Sequence, residues 1–352
     1  MEEDFTHPLL VFARTGDLTA MRSQLEEGAN KNEITNKGRT AMWHAAGNGH
    51  SENLRMLLEQ GADKEKADID GSSPLLAACE NGHLSIVRLL VEQGADIEKA
   101  KVNKDTPVLM ASSNGYVEIA RYLLEKGADI NKVNEELCTC LHDASRYGHA
   151  EIVRLLLERG AAMEKAEIDG STPLYVACEN NHLSVVRLLV EHGAKKDTIN
   201  ISGDTPLMSA SREGHLEVTR YLLDQGADRD KANFDGWTAL HWSTFERQLE
   251  TVKMLMVYGA DLNARDHHGR LPIEMWGATK EIKQAIRDEP RRRMDEAPGK
   301  RATEQTTSAS TQQDKEVEEE PSSKKPRLNE AEEGKVADED QDSEPSDGED
   351  DS

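Results

Sequence analysis

Cys138, Cys140 and His142 form a C-x-C-x-H cluster, the grouping in this chain that comes nearest to a metal site. A zinc site usually wants four ligands arranged as two spaced pairs. Only one half-site is present, so no metal and no cofactor is expected. Histidines also recur at 50, 83, 149, 182 and 215. They fall at most one per 33 residues, and neighbours in stacked helical units would lie roughly 10 Å apart or more. That is too far to share a metal, and each is expected to hydrogen-bond neighbouring backbone at a helix start. The sequence has no P-loop, no glycine-rich nucleotide fingerprint and no nucleophile motif. Converging histidine, cysteine and carboxylate groups in a closed cleft are not offered either, so the chain reads as a non-enzyme.

The elements that carry these residues repeat. Gly-Ala pairs start at Gly28, Gly61, Gly94, Gly127, Gly160, Gly193, Gly226 and Gly259, each 33 residues after the last. A strict period of this length means stacked repeats rather than one globular core. Such solenoids present long surfaces and seldom build closed pockets. In the unit from Gly71 to Gly94, Ser73 suits an N-cap and Pro74 the first helical position. Leu75, Ala78 and Cys79 share one face of a short helix. Asn81-Gly82-His83 breaks that helix, and a second runs from about Leu84 to Gln93 with Ile86, Val87, Leu90 and Val91 inward. Gly94 ends it in the left-handed conformation. A polar connector, Ala95 to Asp105, leads to the next unit.

Thr106-Pro107, Thr172-Pro173-Leu174, Thr205-Pro206-Leu207, Thr139-Cys140-Leu141-His142 and Thr238-Ala239-Leu240-His241 resemble the T-P-L-H signature of ankyrin repeats, which share the 33-residue period. The resemblance implies an all-α repeat solenoid of helix-turn-helix units joined by extended loops or short β-hairpins. Eight repeats span 5–270, a capping half-repeat 271–288 begins at Leu271-Pro272-Ile273, and a disordered acidic tail spans 289–352. Asn181 and Arg247 replace the helix-breaking glycine, and Lys104 and Leu137 the loop glycine, so looser or differently bent loops are expected there. The resemblance also marks Asn32, Asn131 and Asn263 as positions where family members can be hydroxylated.

A longer period overlies the first. Ser73–Glu92 and Thr172–Glu191, 99 residues apart, match at 15 of 20 positions, whereas Ser73–Glu92 and Thr40–Glu59 match at 7 of 20. A three-repeat block has been duplicated, so similar surface patches should recur every third unit.

Composition narrows the partners. The chain has 352 residues and a net charge of -24. Residues 289–352 hold 21 acidic and 10 basic residues, a net of -11. Such acidity argues against direct nucleic-acid binding, which relies on Lys and Arg against phosphates. No apolar run approaches the ~20 residues of a membrane span, and the start Met1-Glu2-Glu3-Asp4 is unlike a secretory signal. Cys79, Cys138, Cys140 and Cys178 are expected to be reduced, and a cytoplasmic or nuclear location follows. The expected state is a monomer.

The resemblance places loop tips and first helices on a concave binding face, and so implies a protein scaffold or adaptor with a protein partner. The tip position, two before the turn glycine or its replacement, holds Asn36, Ile69, Val102, Glu135, Ile168, Ile201, Phe234 and His267. Five of these eight are apolar, and aligned tips would form an exposed apolar stripe of the kind that marks interaction sites. They could instead pack against neighbouring loops. Arg146, Tyr147, Arg212, Trp242 and Phe245 belong to the first helices and are of the types that dominate binding hot spots. Trp242 and Phe245 could equally pack under the C-terminal half-repeat. Trp237 reads as structural, and Trp43 as half-buried.

In the tail, Lys324, Lys325 and Arg327 resemble a short nuclear-import signal, and Ser346 an acidophilic kinase site. These features support a second reading, a nuclear regulator whose acidic tail binds basic proteins while the repeats dock.

Overall fold

In the computed structural model, residues 7–295 are described. Sixteen helices form eight antiparallel pairs: α1 (Pro8–Thr15) with α2 (Leu18–Glu26), α3 (Ala41–Gly47) with α4 (Ser51–Glu59), α5 (Pro74–Glu80) with α6 (Leu84–Glu92), and α7 (Pro107–Ser113) with α8 (Val117–Glu125). The series continues with α9 (Cys140–Arg146) and α10 (Ala150–Glu158), α11 (Pro173–Glu179) and α12 (Leu183–Glu191), α13 (Pro206–Glu213) and α14 (Leu216–Asp224), and α15 (Ala239–Phe245) and α16 (Leu249–Val257). A 3₁₀ turn at Pro272–Glu274 and helix α17 (Lys280–Asp295) close the stack.

Local chemistry sets each boundary. Thr40, Ser73, Thr106, Thr172 and Thr205 stand in extended backbone, and each hydroxyl accepts the amide three residues on. Proline follows four of them at the first helical position. The Gly-Ala pairs end the second helices. Gly94 lies at φ 78, its amide donates to the Val91 carbonyl and that of Ala95 to the Leu90 carbonyl, both at 2.9 Å. That bond pair is a Schellman motif. A Cβ on Gly94 would meet nothing within 4 Å, so backbone conformation alone demands the glycine.

Ala45, Ala78, Ala111, Ala144, Ala177 and Ala210 are fully buried on the first helices. Small side chains there let first helices pack on first helices more extensively than second helices pack on second.

Three expectations need revision. The connectors are turns, not hairpins; among the described residues the one β-bridge is Ile34 with Thr40. In the Asp68 loop the Asp68 amide donates to the Ser72 carbonyl, but the Ser72 amide returns to the Asp68 carboxylate at 2.8 Å. The side chain takes the bond that a strand would need. Second, Lys104, Leu137, Asn181 and Arg247 have φ of 66, 62, 61 and 64, the left-handed region their glycine counterparts occupy. The loops keep their bend and carry the strain instead. Third, the last helix passes the expected end at 288 and runs to Asp295.

Candidate protein-docking face

The five apolar tips are all on the surface. Ile69, Val102, Ile168, Ile201 and Phe234 are between 62% and 69% exposed. Phe234 and Ile69 also lie over the turn glycines of the preceding loops, 3.0 Å from where a Cβ on Gly203 and 3.4 Å from where a Cβ on Gly38 would stand. Backbone bonds fix them in a row. Each tip amide from Ile69 to His267 donates to a carbonyl 32 residues earlier, as in Val102 to Asp70 at 2.9 Å, Ile168 to Glu136 at 2.9 Å and Phe234 to Ser202 at 3.2 Å. A second row runs beside it. The side chains of Asn32, Glu65, Glu98, Asn131, Glu164, Asp197 and Asp230 each accept an amide 31 residues on. Asn32 and Asn131 therefore tie adjacent repeats, a role that sequence position alone did not reveal.

The first-helix candidates divide. Tyr147 is exposed, and Arg146 is half-buried in an ion pair with Glu167. Arg212 pairs with Glu179 at 3.2 Å and Glu213 at 2.9 Å, and lies 5.5 Å from the Trp242 ring centre. Trp242 and Phe245 are half-buried and form a cluster with Trp237, whose ring centre lies 4.6 Å from Trp242 and 5.2 Å from Phe245. The Trp242 indole N–H donates to Asp204 at 3.0 Å. Trp43 is half-buried, with the Arg39 guanidinium 3.9 Å from its ring centre. Trp276, unremarked in the sequence, is 86% exposed beside Phe245 and Arg247. Lys324, Lys325, Arg327 and Ser346 lie outside the described residues.

The C-x-C-x-H residues serve structure. His142 Nδ1 accepts the Thr139 amide at 3.2 Å, and Nε2 donates to the Ser171 carbonyl of the next repeat at 3.3 Å. The Nδ1 bond needs the neutral ring, and burial pushes its pKa down to about 4. His241 repeats the arrangement with Thr238 and Arg270. The Cys138 thiol donates to Glu167 at 2.8 Å, and burial pushes Cys140 up to about 12. Thiols held protonated are poor nucleophiles and poor ligands. Among the described residues no group of three or more His, Cys, Asp or Glu is placed to hold a metal ion. The recurring histidines do bond backbone: the Nε2 atoms of His50, His83, His149, His182 and His215 donate to Arg14, Gly47, Ser113, Arg146 and Glu179 carbonyls at 2.9–3.1 Å.

One recess opens on this face. It holds about 360 Å³ and is lined by Asn103, Asp105, Asn134, Glu135, Asp143 and Tyr147, among others. Burial first, then the charges of Asp105, Glu167 and Glu136, raises the Asp143 carboxyl to about 7, with Arg146 opposing.

Among the described residues no helix is long and apolar enough to cross a membrane. A search of curated proteins returned no significant match. The crystal structure of the human ASB11 ankyrin repeat domain is similar, with a TM-score of 0.59 and 28% sequence identity over 63% of this chain and 99% of that one. A family model described as ankyrin repeats (3 copies) matches residues 3–68, 65–134, 98–167, 127–200 and 196–266. Together these matches span most of the sequence, and the chain belongs to the ankyrin-repeat family.

Proposed function

We propose that this protein is a non-catalytic adaptor that binds a protein partner across its loop tips and first helices. Ankyrin repeats are generally protein–protein interaction modules. The observation that carries the reading is the row of five exposed apolar tips locked in register by inter-repeat backbone bonds. A rigid surface loses little conformational entropy on binding, so its apolar area converts efficiently into affinity. Tyr147 and Trp242 add aromatic area to the same face.

The test compares the full chain with Ile168→Asp plus Phe234→Asp, and with Val257→Asp on the second-helix side, where Val257 is also exposed. The proposal expects partner capture to fail in the tip variant and survive in Val257→Asp, with native circular dichroism in both. Equal capture by all three proteins would refute it. The rival reading assigns binding of basic proteins to the acidic tail and nuclear entry to Lys324, Lys325 and Arg327. Deletion of residues 296–352 separates the two, since the adaptor reading expects capture by the tip face to persist.

A further inference from the structure

The recess at Asp143 has a counterpart in the duplicated block, and the two differ in what fills them. Adding 99 to Asp105, Asn134 and Asp143 gives Asp204, Asn233 and Trp242. In the later copy Asn233 Nδ2 donates to Asp204 Oδ1 at 2.7 Å, and the Trp242 indole N–H donates to the same oxygen at 3.0 Å. In the earlier copy Asn134 Nδ2 donates to Asp105 Oδ1 at 3.0 Å, but Asp143 stands where the indole would be. A donor supplied by the chain itself is thus replaced by a second acceptor and an opening of about 360 Å³. No hydrogen bond or ion pair to the Asp143 carboxyl forms among the described residues. Glu135 and Glu136 line the same opening, and Tyr147 lines it as well. The charge of Arg146 is already taken by Glu167.

We infer that this recess receives an arginine side chain from an extended segment of the partner, with apolar residues of that segment resting on Val102 and Ile168. A planar guanidinium offers paired N–H donors to Asp105 and Asp143 and can stack on the Tyr147 ring. The inference rests on the docking-face reading. The tip row supports the geometry: Val102 and Ile168 are exposed and apolar, and the tip between them is Glu135. Adjacent tips are about 10 Å apart if repeats stack at the usual helix spacing. An extended chain rises about 3.3 Å per residue, so three residues cover one repeat. The segment therefore reads apolar, two residues, arginine, two residues, apolar.

Two labelled synthetic peptides of that pattern test it by fluorescence anisotropy against the full chain. Both carry leucine at the outer positions, and one has arginine and the other glutamine at the centre. The arginine peptide should bind about tenfold more tightly, as expected for one desolvated charge-assisted contact. In Asp143→Asn that preference should vanish while circular dichroism stays native. Equal binding of both peptides to the unaltered protein, no binding of the arginine peptide up to millimolar concentration, or a preference that survives Asp143→Asn would overturn the inference. Ile168→Asp isolates the docking-face reading. A preserved arginine preference with no loss of affinity in Ile168→Asp would sink that reading while leaving the pocket standing.

Discussion

His142 and Asp143 are adjacent, and burial moves them in opposite directions: the histidine is held neutral, while the half-buried Asp143 carboxyl is raised to about 7 and is about half ionised at neutral pH. Their pH signs oppose. The pKa of His142 falls from 6.5 to about 4, so its contribution to stability is complete above pH 6.5 and is lost as pH drops toward 4. The pKa of Asp143 rises from 3.8 to about 7, so its folded form is best tolerated at low pH and penalised as pH climbs through that window. Asp143→Asn is therefore expected to raise the melting temperature at pH 8, with the gain shrinking toward pH 4. A gain independent of pH would contradict the assignment. Backbone strain gives a second residue-scale test. Leu137 pays for a left-handed backbone that glycine adopts freely. Leu137→Gly should stabilise by about 0.5–1 kcal/mol in urea unfolding, and Gly94→Ala should destabilise by about 1 kcal/mol. The motif at 138–142 was plain in the sequence, yet its structural role was not. Whether a histidine caps a helix or meets a metal depends on the Ser171 carbonyl 29 residues on, which no local pattern contains.

At the scale of elements, six first helices (α1, α3, α7, α9, α11 and α13) each offer a carbonyl to the residue that starts the second helix of the following repeat. His182 donates to the Arg146 carbonyl at 2.9 Å, and Gln248 makes the same bond to Arg212 at 3.2 Å. The glutamine shows that the bond matters, not the ring. His182→Ala is expected to lose about 1–2 kcal/mol, and His182→Gln to recover most of it, as read by thermal unfolding. Similar losses in both variants would assign the effect to ring packing against Gly148 instead. Helix positions were legible because cap residues and glycines recur in phase, as at Ser73, Pro74 and Gly94. The loops were less so. Glycine-to-lysine and glycine-to-leucine changes at 104 and 137 look locally disruptive. The inter-repeat bonds from Glu135 to Asn103 and from Ile168 to Glu136 nevertheless hold those turns in the shared conformation.

Across residues 7–295, the packed core and the exposed tips occupy different faces of the same unit. Leucine and alanine layers hold neighbours together, while the tips stay outside that core with their backbones pinned. Alternation of apolar tips was readable from the sequence, because Ile69, Val102, Ile168, Ile201 and Phe234 occupy one phase of the repeat. Their exposure was not readable, since it depends on where each neighbouring loop lies. Nor was the recess at Asp143, which appears only when α9 and α15 are compared in space. The central claim is that the tip row is the binding surface. It is tested most directly by partner capture with the full chain, with Ile168→Asp plus Phe234→Asp, and with Val257→Asp, followed by mass spectrometry. A partner retained by the unaltered protein and Val257→Asp but missing from the tip variant is the predicted result; a partner list unchanged by the tip substitutions would contradict it.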